Sequence, residues 1–217
     1  NTKLTFDLSK IQQSESVLIA VPSYGFTATL KAIKPFLNSE QSVAWVTKGF
    51  DTHQQGFLHE SFEAILVDHP SCVISGPSFA FEVANHKPTA LTVASADRNT
   101  RDYWAKAMQT QTLRVYTNED IIGVEIGGSI KNILAIAAGI ASGLSYGANT
   151  QAALITRGLT EMIRFGKSLG ANEKTFNGLS GLGDLTLTCS DDLSRNRRFG
   201  KELANNRNVE QALDNVG

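Results

Sequence analysis

The sequence predicts an α/β domain with a parallel sheet over residues 1–118, followed by an all-α domain over residues 119–217. Three observations carry that expectation. In the first half, short β-branched runs alternate with segments of helical periodicity. After Asn118 the strand-like runs stop. The composition is that of a folded chain: 41% of the 217 residues are apolar and 19% charged, with 20 Lys and Arg against 21 Asp and Glu for a net charge of −1. That balance excludes a disordered chain. It also lacks the basic excess that drives non-specific nucleic-acid binding, so no nucleic-acid partner is expected. The longest near-continuous apolar run, residues 133–141, falls short of the roughly 20 residues needed to cross a bilayer, so no transmembrane segment is expected. The opening residues 1–7 lack the apolar stretch of a signal peptide. Two cysteines, Cys72 and Cys189, make neither a disulfide scaffold nor a metal-ligand pattern, and the reduced cytoplasm is the expected compartment.

Each element has its own reason. Residues 17–21 are an unbroken apolar run stopped by Pro22, residues 42–47 a second stopped by Lys48 and Gly49, and residues 72–75 a third stopped by Gly76 and Pro77. Short apolar runs of this kind read as strands covered on both faces. Between them, residues 26–37 place Leu30, Ile33, Phe36 and Leu37 on one helical face, and residues 57–66 do the same with Leu58, Phe62, Ile65 and Leu66. Strand, helix, strand, helix, strand predicts βαβ crossovers. Two more strands are expected at 89–95 and 113–116, with a helix over 99–108 between them. A doubly wound sheet ordinarily has further strands before the point where residue 1 stands, so the first domain reads as a partial, Rossmann-like sheet lacking its first βαβ segment.

Asn118 is the expected N-cap of the next helix, with Glu119 and Asp120 in its first turn. Residues 121–142 are apolar and rich in Gly and Ala, which lowers helix propensity. The expected compensation is close packing against other helices or a ligand, and the packing is open between the domain's own helices and the two subunits of a homodimer. A second helix is expected over 150–169, stopped by Gly170, and a third begins near Ser194.

The first three strands end in turns, at Val21-Pro22-Ser23, Thr47-Lys48-Gly49 and Ser75-Gly76-Pro77-Ser78. In open parallel sheets ligands bind beyond the strand C-termini, so these turns are expected to converge on one site. The alternative is that Pro22 and Pro77 only stop strands and Ser78 caps a helix. Lys48, at the end of a buried strand, is expected to project into the crevice, although most lysines are solvated. Lys131 is the only charge between Glu125 and Arg157. In such apolar surroundings its pKa is expected to fall, which suits proton exchange near neutrality; the alternative is an amine that snorkels to water. The stretch from Gly178 to Asp184 has the order G-x-x-G-x-G with no strand before it, and is not a dinucleotide fingerprint. Its expected use is a backbone close to a ligand, with Asp184 aimed at a hydroxyl or at Lys131, or simply capping a helix. Ser194, Arg195 and Asn196 open a helix with a hydroxyl, a guanidinium and an amide, a grouping suited to phosphate, or else a plain Ser cap beside solvated arginines.

In order along the chain, Ala20-Val21-Pro22-Ser23, Thr47-Lys48-Gly49, Ser75-Gly76-Pro77-Ser78-Phe79-Ala80, Gly123-Val124-Glu125-Ile126-Gly127-Gly128, Lys131-Asn132, Ala153-Leu154-Ile155-Thr156-Arg157-Gly158-Leu159, Gly178 to Asp184 and Ser194-Arg195-Asn196-Arg197 together resemble the NAD(P)-dependent glycerol-3-phosphate dehydrogenases of the bacterial type. The resemblance implies hydride transfer between a nicotinamide and dihydroxyacetone phosphate, giving sn-glycerol 3-phosphate for phospholipid synthesis. It implies NAD or NADP as cofactor, with NADPH favoured, and a small phosphorylated substrate. It places Lys131 as catalytic acid/base. It sets Lys48, Gly76, Ser78, Lys131, Asp184, Ser194, Arg195 and Asn196 on substrate, and Lys48, Ala80 and Arg195 on cofactor. The glycine-rich turn with which the family begins, and further cofactor residues beyond Gly217, are absent, so the 217 residues are expected to be part of a longer protein. Other readings are a non-catalytic module that binds a phosphate ligand, and a dehydrogenase of another small phosphorylated or acidic substrate.

Overall fold

The computed structural model describes residues 3–206 and 208–216. A sheet with strand order β1-β2-β5-β6-β7 is built from β1 (Ser16–Ile19), β2 (Ser42–Trp45), β5 (Ser71–Ser75), β6 (Thr89–Ala94) and β7 (Leu113–Asn118). The crossovers are α1 (Ser23–Ile33) and α2 (Leu58–Ile65). Before α2 lies an antiparallel hairpin of β3 (Phe50–Asp51) and β4 (Gly56–Phe57). Its two-residue strands are too short to leave a period in the sequence. Helix α1 is shorter than its periodicity suggests. Pro35 has no N–H to continue the ladder, and the chain tightens into a 3₁₀ turn at Lys34–Phe36.

The sheet is dominated by parallel pairs, as expected, with one antiparallel join that the sequence does not show. β1, β2 and β5 are mutually parallel, as are β6 and β7, but β6 runs antiparallel to β5, with Ile74 opposite Val93. The reason is the connection. Its only helix, α3 (Ala80–Ala84), has five residues. At about 1.5 Å per residue it cannot carry the chain back along the sheet for a parallel return.

Both faces are covered. On one, Trp45 meets Phe26 edge-on at 5.5 Å and stacks on Phe62 at 5.2 Å, joining β2 to α1 and α2. On the other, Ala44, Cys72, Ile74 and Val93 pack with Trp104 of α4 (Arg98–Met108). The Trp104 Nε1–H donates to the Ser42 hydroxyl at 3.0 Å.

Beyond Asn118 there is no strand among the described residues. The helices are α5 (Ile121–Gly143), α6 (Ala148–Ser168), α7 (Glu173–Phe176), α8 (Asp184–Ser190), α9 (Arg195–Asn206) and α10 (Val209–Val216). The N-cap of α5 is Asp120, not Asn118: its carboxylate accepts from the Gly123 N–H at 2.8 Å. Asn118 instead holds the Asp120 N–H at 3.0 Å. Asp120 also accepts from the Thr175 hydroxyl at 2.6 Å, so the same carboxylate pins α7 to the start of α5. Among the described residues, α5 is the one helix long and apolar enough to pass for a membrane span. Here it is the core helix of the helical unit, with Ile126, Ala135 and Ala138 packed on Met162, Phe176 and Leu185.

The small residues of α5 are used inside the chain. A Cβ on Gly139 would overlap the Arg197 carbonyl, and one on Gly200 would overlap the Ile136 carbonyl, so α5 and α9 touch backbone to backbone. Gly200→Val should therefore push α9 off α5. Overpacking of this kind costs about 1–3 kcal/mol, read as a lower urea midpoint at unchanged slope. An unaltered midpoint would show that the helix contact yields freely.

Candidate active site

The C-terminal ends of β1, β2 and β5 meet at one cavity of about 500 Å³, lined by Ala20, Val21, Pro22, Val46, Thr47, Lys48, Ile74, Ser78, Ala80, Leu91 and Lys131. The Thr47 hydroxyl donates to the Val21 carbonyl at 2.8 Å and ties the first two turns together. Gly76 sits at φ +144°, a backbone that L side chains rarely adopt, and a Cβ there would press on the Ala90 carbonyl at 3.1 Å. This conformation turns the Gly76 carbonyl to accept from Lys48 Nζ and from the Ser78 hydroxyl, each at 3.0 Å. Ser78 lines the cavity and caps no helix, since the residue before α3 is Phe79.

At the cavity edge two lysines share one carboxylate. Asp184, 1% exposed, accepts from Lys131 Nζ through Oδ1 and from Lys48 Nζ through Oδ2, the latter at 2.7 Å. Lys131 is 7% exposed and also donates to the Thr188 hydroxyl at 3.1 Å. Burial, then the neighbouring Lys48 charge, bring its pKa down from 10.5 to about 8, against the pull of Asp184. The amine is thus inward and poised, not snorkelling. Lys48, which projects into the crevice as expected, stands on the same carboxylate as Lys131.

The glycine-rich stretch explains why Asp184 reaches the lysines. Leu179–Gly183 form a π-helical turn leading into α8. A Cβ on Gly127 would overlap the Ser180 carbonyl, so the turn lies directly on α5 and sets Asp184 beside Lys131. Of the uses expected for this stretch, it is contact with Lys131 that the structure displays. Thr188, one helical turn after Asp184, was not singled out from the sequence. The i, i+4 spacing from a buried Asp was the available signal.

Lys48 and Pro22 also border a second cavity of about 510 Å³, which Arg195 and Asn196 line with Ser23, Ile136 and Phe199. Arg195 and Asn196 therefore face a space that Lys48 also borders. Ser194 is buried, and its hydroxyl accepts from the Arg197 N–H at 3.2 Å as the cap of α9. Arg197 is also buried. It pairs with Asp192 and donates to the Ser142 hydroxyl at 3.3 Å, a bond between α9 and α5. The two cysteines are free and buried, and burial pushes the thiols up to about 12 at Cys72 and about 11 at Cys189, so neither is a nucleophile.

The first cavity fits the nicotinamide end of a dinucleotide: its walls are mainly aliphatic, Ala80 leaves room at the start of α3, and an ammonium stands at its edge.

Residues 1–101 match the family described as NAD-dependent glycerol-3-phosphate dehydrogenase N-terminus, and residues 120–217 match its C-terminus. The whole chain is 67% identical to a glycerol-3-phosphate dehydrogenase [NAD(P)+] of Ruthia magnifica, covering 67% of that protein. The chain belongs to the NAD-dependent glycerol-3-phosphate dehydrogenase family. It is also 66% identical to the enzyme of the same description from Vesicomyosocius okutanii, covering 66% of it. The crystal structure of glycerol-3-phosphate dehydrogenase from Coxiella burnetii superposes with a TM-score of 0.92 at 44% identity, over 97% of this chain and 64% of that one. The chain thus spans about two thirds of the length of the curated relatives it matches. These likenesses agree with the fold described above, a Rossmann-like unit followed by a helical one.

Proposed function

We propose that the full protein interconverts dihydroxyacetone phosphate and sn-glycerol 3-phosphate with NAD(P)H, supplying glycerophospholipid synthesis in the cytoplasm. NADPH is the favoured cofactor. The observation that carries this reading is the buried Lys131–Asp184–Lys48 cluster at the edge of the strand-end cavity. Residues 1–118 act as the cofactor unit and 119–217 as the substrate unit.

When bound, the nicotinamide supplies or accepts the hydride. Everything else falls to the chain. Reduction of a ketone puts negative charge on its oxygen, and the Lys131 ammonium stabilises that charge and then gives up a proton to it. Asp184 and Thr188 hold the amine in place. Lys48 adds positive charge beside the same carboxylate, and contacts substrate and cofactor. Gly76 and Ser78 border the reacting end, and Ala80 lies against the cofactor. Arg195 and Asn196 grip the phosphate on a helix opened by Ser194, with Arg195 shared by the cofactor. Binding energy from the phosphate, remote from the reacting carbon, orients the carbonyl.

The test is dihydroxyacetone phosphate with the full-length protein, followed by nicotinamide absorbance. Binding of glycerol 3-phosphate in a calorimeter with no absorbance change at any pH would replace this reading with a binding module. A preference for another phosphorylated ketone in a substrate panel would move it to a related dehydrogenase. The pH dependence has a definite sign. Lys131 is the proton donor in reduction, so the reduction rate should fall as pH rises through about 8, while oxidation of glycerol 3-phosphate should gain as the amine becomes free base. Parallel profiles in the two directions would remove Lys131 from the proton step.

A further inference from the structure

Glu125 is a buried carboxylate that the proposed chemistry does not use. Its side chain is 2% exposed, and it lies on α5 six residues before Lys131. Among the described residues its one ionic partner is His59, at the start of α2. The carboxylate accepts from the His59 backbone N–H at 3.2 Å and meets the ring Nδ1 as well. The His59 ring stacks on Phe57 at 5.8 Å, a second contact that orients its plane.

One turn further along α5, Ser129 takes hold of the other end of the same segment. Its hydroxyl accepts from the Gly49 N–H at 3.2 Å and lies 3.0 Å from the Gly49 carbonyl. Gly49 directly follows Lys48. The segment from Gly49 to His59 is the β3–β4 hairpin. It is stiffened inside by Asp51, whose buried carboxylate accepts from the Ser61 hydroxyl at 2.7 Å and the His53 N–H at 2.8 Å. The hairpin is therefore a braced strap, fastened to α5 at both ends. Lys48 emerges from one end, and α5 carries Lys131.

We propose that Glu125 and His59 are positioning residues for the lysine pair, clamping the strap that begins at Lys48 against the helix that bears Lys131. The inference rests on the dehydrogenase reading above. A buried carboxylate left without a partner would be costly, so loosening His59 frees the far end of the strap, and the Lys48 end moves with it. The charged groups facing the His59 ring are Glu125 from α5 and Glu60 and Glu63 from its own helix, and they hold its pKa above the ordinary value against the effect of burial. The ionic form of the clamp is therefore present at low pH and is lost as pH rises through the His59 titration.

The experiment uses the full-length enzyme with dihydroxyacetone phosphate and NADPH. His59→Gln and Glu125→Gln should each lower kcat near pH 6 by about tenfold or more, the scale on which small misplacements act. Wild-type kcat should fall through the His59 titration and again near pH 8 with Lys131. His59→Gln should lose the first fall and keep the second. A merely structural pair would lower the melting temperature and leave kcat and its pH profile alone, and that result overturns the proposal. Should Glu125→Gln fail to fold, His59→Gln at its partly exposed site decides. Should both fail, an NMR titration of His59 in the wild type decides: a pKa at or below the ordinary value of about 6.5 also overturns it. Lys131→Met separates the two levels. If it abolishes turnover while the His59 and Glu125 variants are normal, only the clamp is wrong; if it leaves turnover intact, the dehydrogenase chemistry itself is.

Discussion

Lys131→Met in the full-length protein should reduce turnover by about three orders of magnitude or more while leaving the fold in place. General acid catalysis is worth about 10²–10⁴-fold, and loss of a single donor to a developing oxyanion costs about 10²–10³-fold. The two overlap in one amine, so they do not multiply. A thousandfold loss corresponds to about 4 kcal/mol of transition-state stabilisation. Methionine keeps most of the stem that packs in α5, and Asp184 retains Lys48 as its counter-ion, so circular dichroism and the urea midpoint should stay near wild type. Turnover within tenfold of wild type would end the assignment of Lys131 as acid/base. Collapse of the fold would mean that the amine is structural.

Asp184→Asn should produce the second-largest effect, with a different signature. The change leaves two ammonium groups close together, one of them buried, with no anion between them. Breaking a buried ion pair from one side costs about 3–5 kcal/mol, so a clear loss of stability is expected at neutral pH. Asp184 is the group that pulls the Lys131 pKa upward. Without it the pKa falls below about 8, and the loss of reduction rate with rising pH should move to lower pH. Raising the pH should restore part of the stability, because one buried amine then sheds its charge. The measurements are kcat/KM against pH and denaturation at two pH values. An unmoved profile would show that Asp184 does not govern the Lys131 proton.

The strands and the lysine could be read from the sequence because each depends on local pattern. Short β-branched runs ending in Pro or Gly mark buried strands whatever lies beyond them. One charge in a long apolar helix stands out at any fold. Asp184 was legible as a carboxylate among glycines, though not which of its uses applies. Ser129 and the Glu125–His59 pair were not legible as a group. Their partners are far apart in the chain, 66 residues for His59 and Glu125 and 80 for Gly49 and Ser129, and no local period records such a meeting. The reversal of β6 escaped for a similar reason: strand direction is set by how far the connection can carry the chain, and a five-residue helix looks locally like the start of a longer one.

By itself, then, the sequence determined the covering of the sheet on both faces, the change to an all-helical unit after Asn118, and a desolvated Lys131. Those outcomes follow from side-chain period and transfer free energy, which act within a few residues. Tertiary structure alone decided that Lys48 and Lys131 share Asp184, that Gly127 and Gly139 are contact points between backbones, and that a strap spans α5 from Gly49 to His59. Each of these needs two distant segments to approach within hydrogen-bond or van der Waals reach, and that approach is a property of packing.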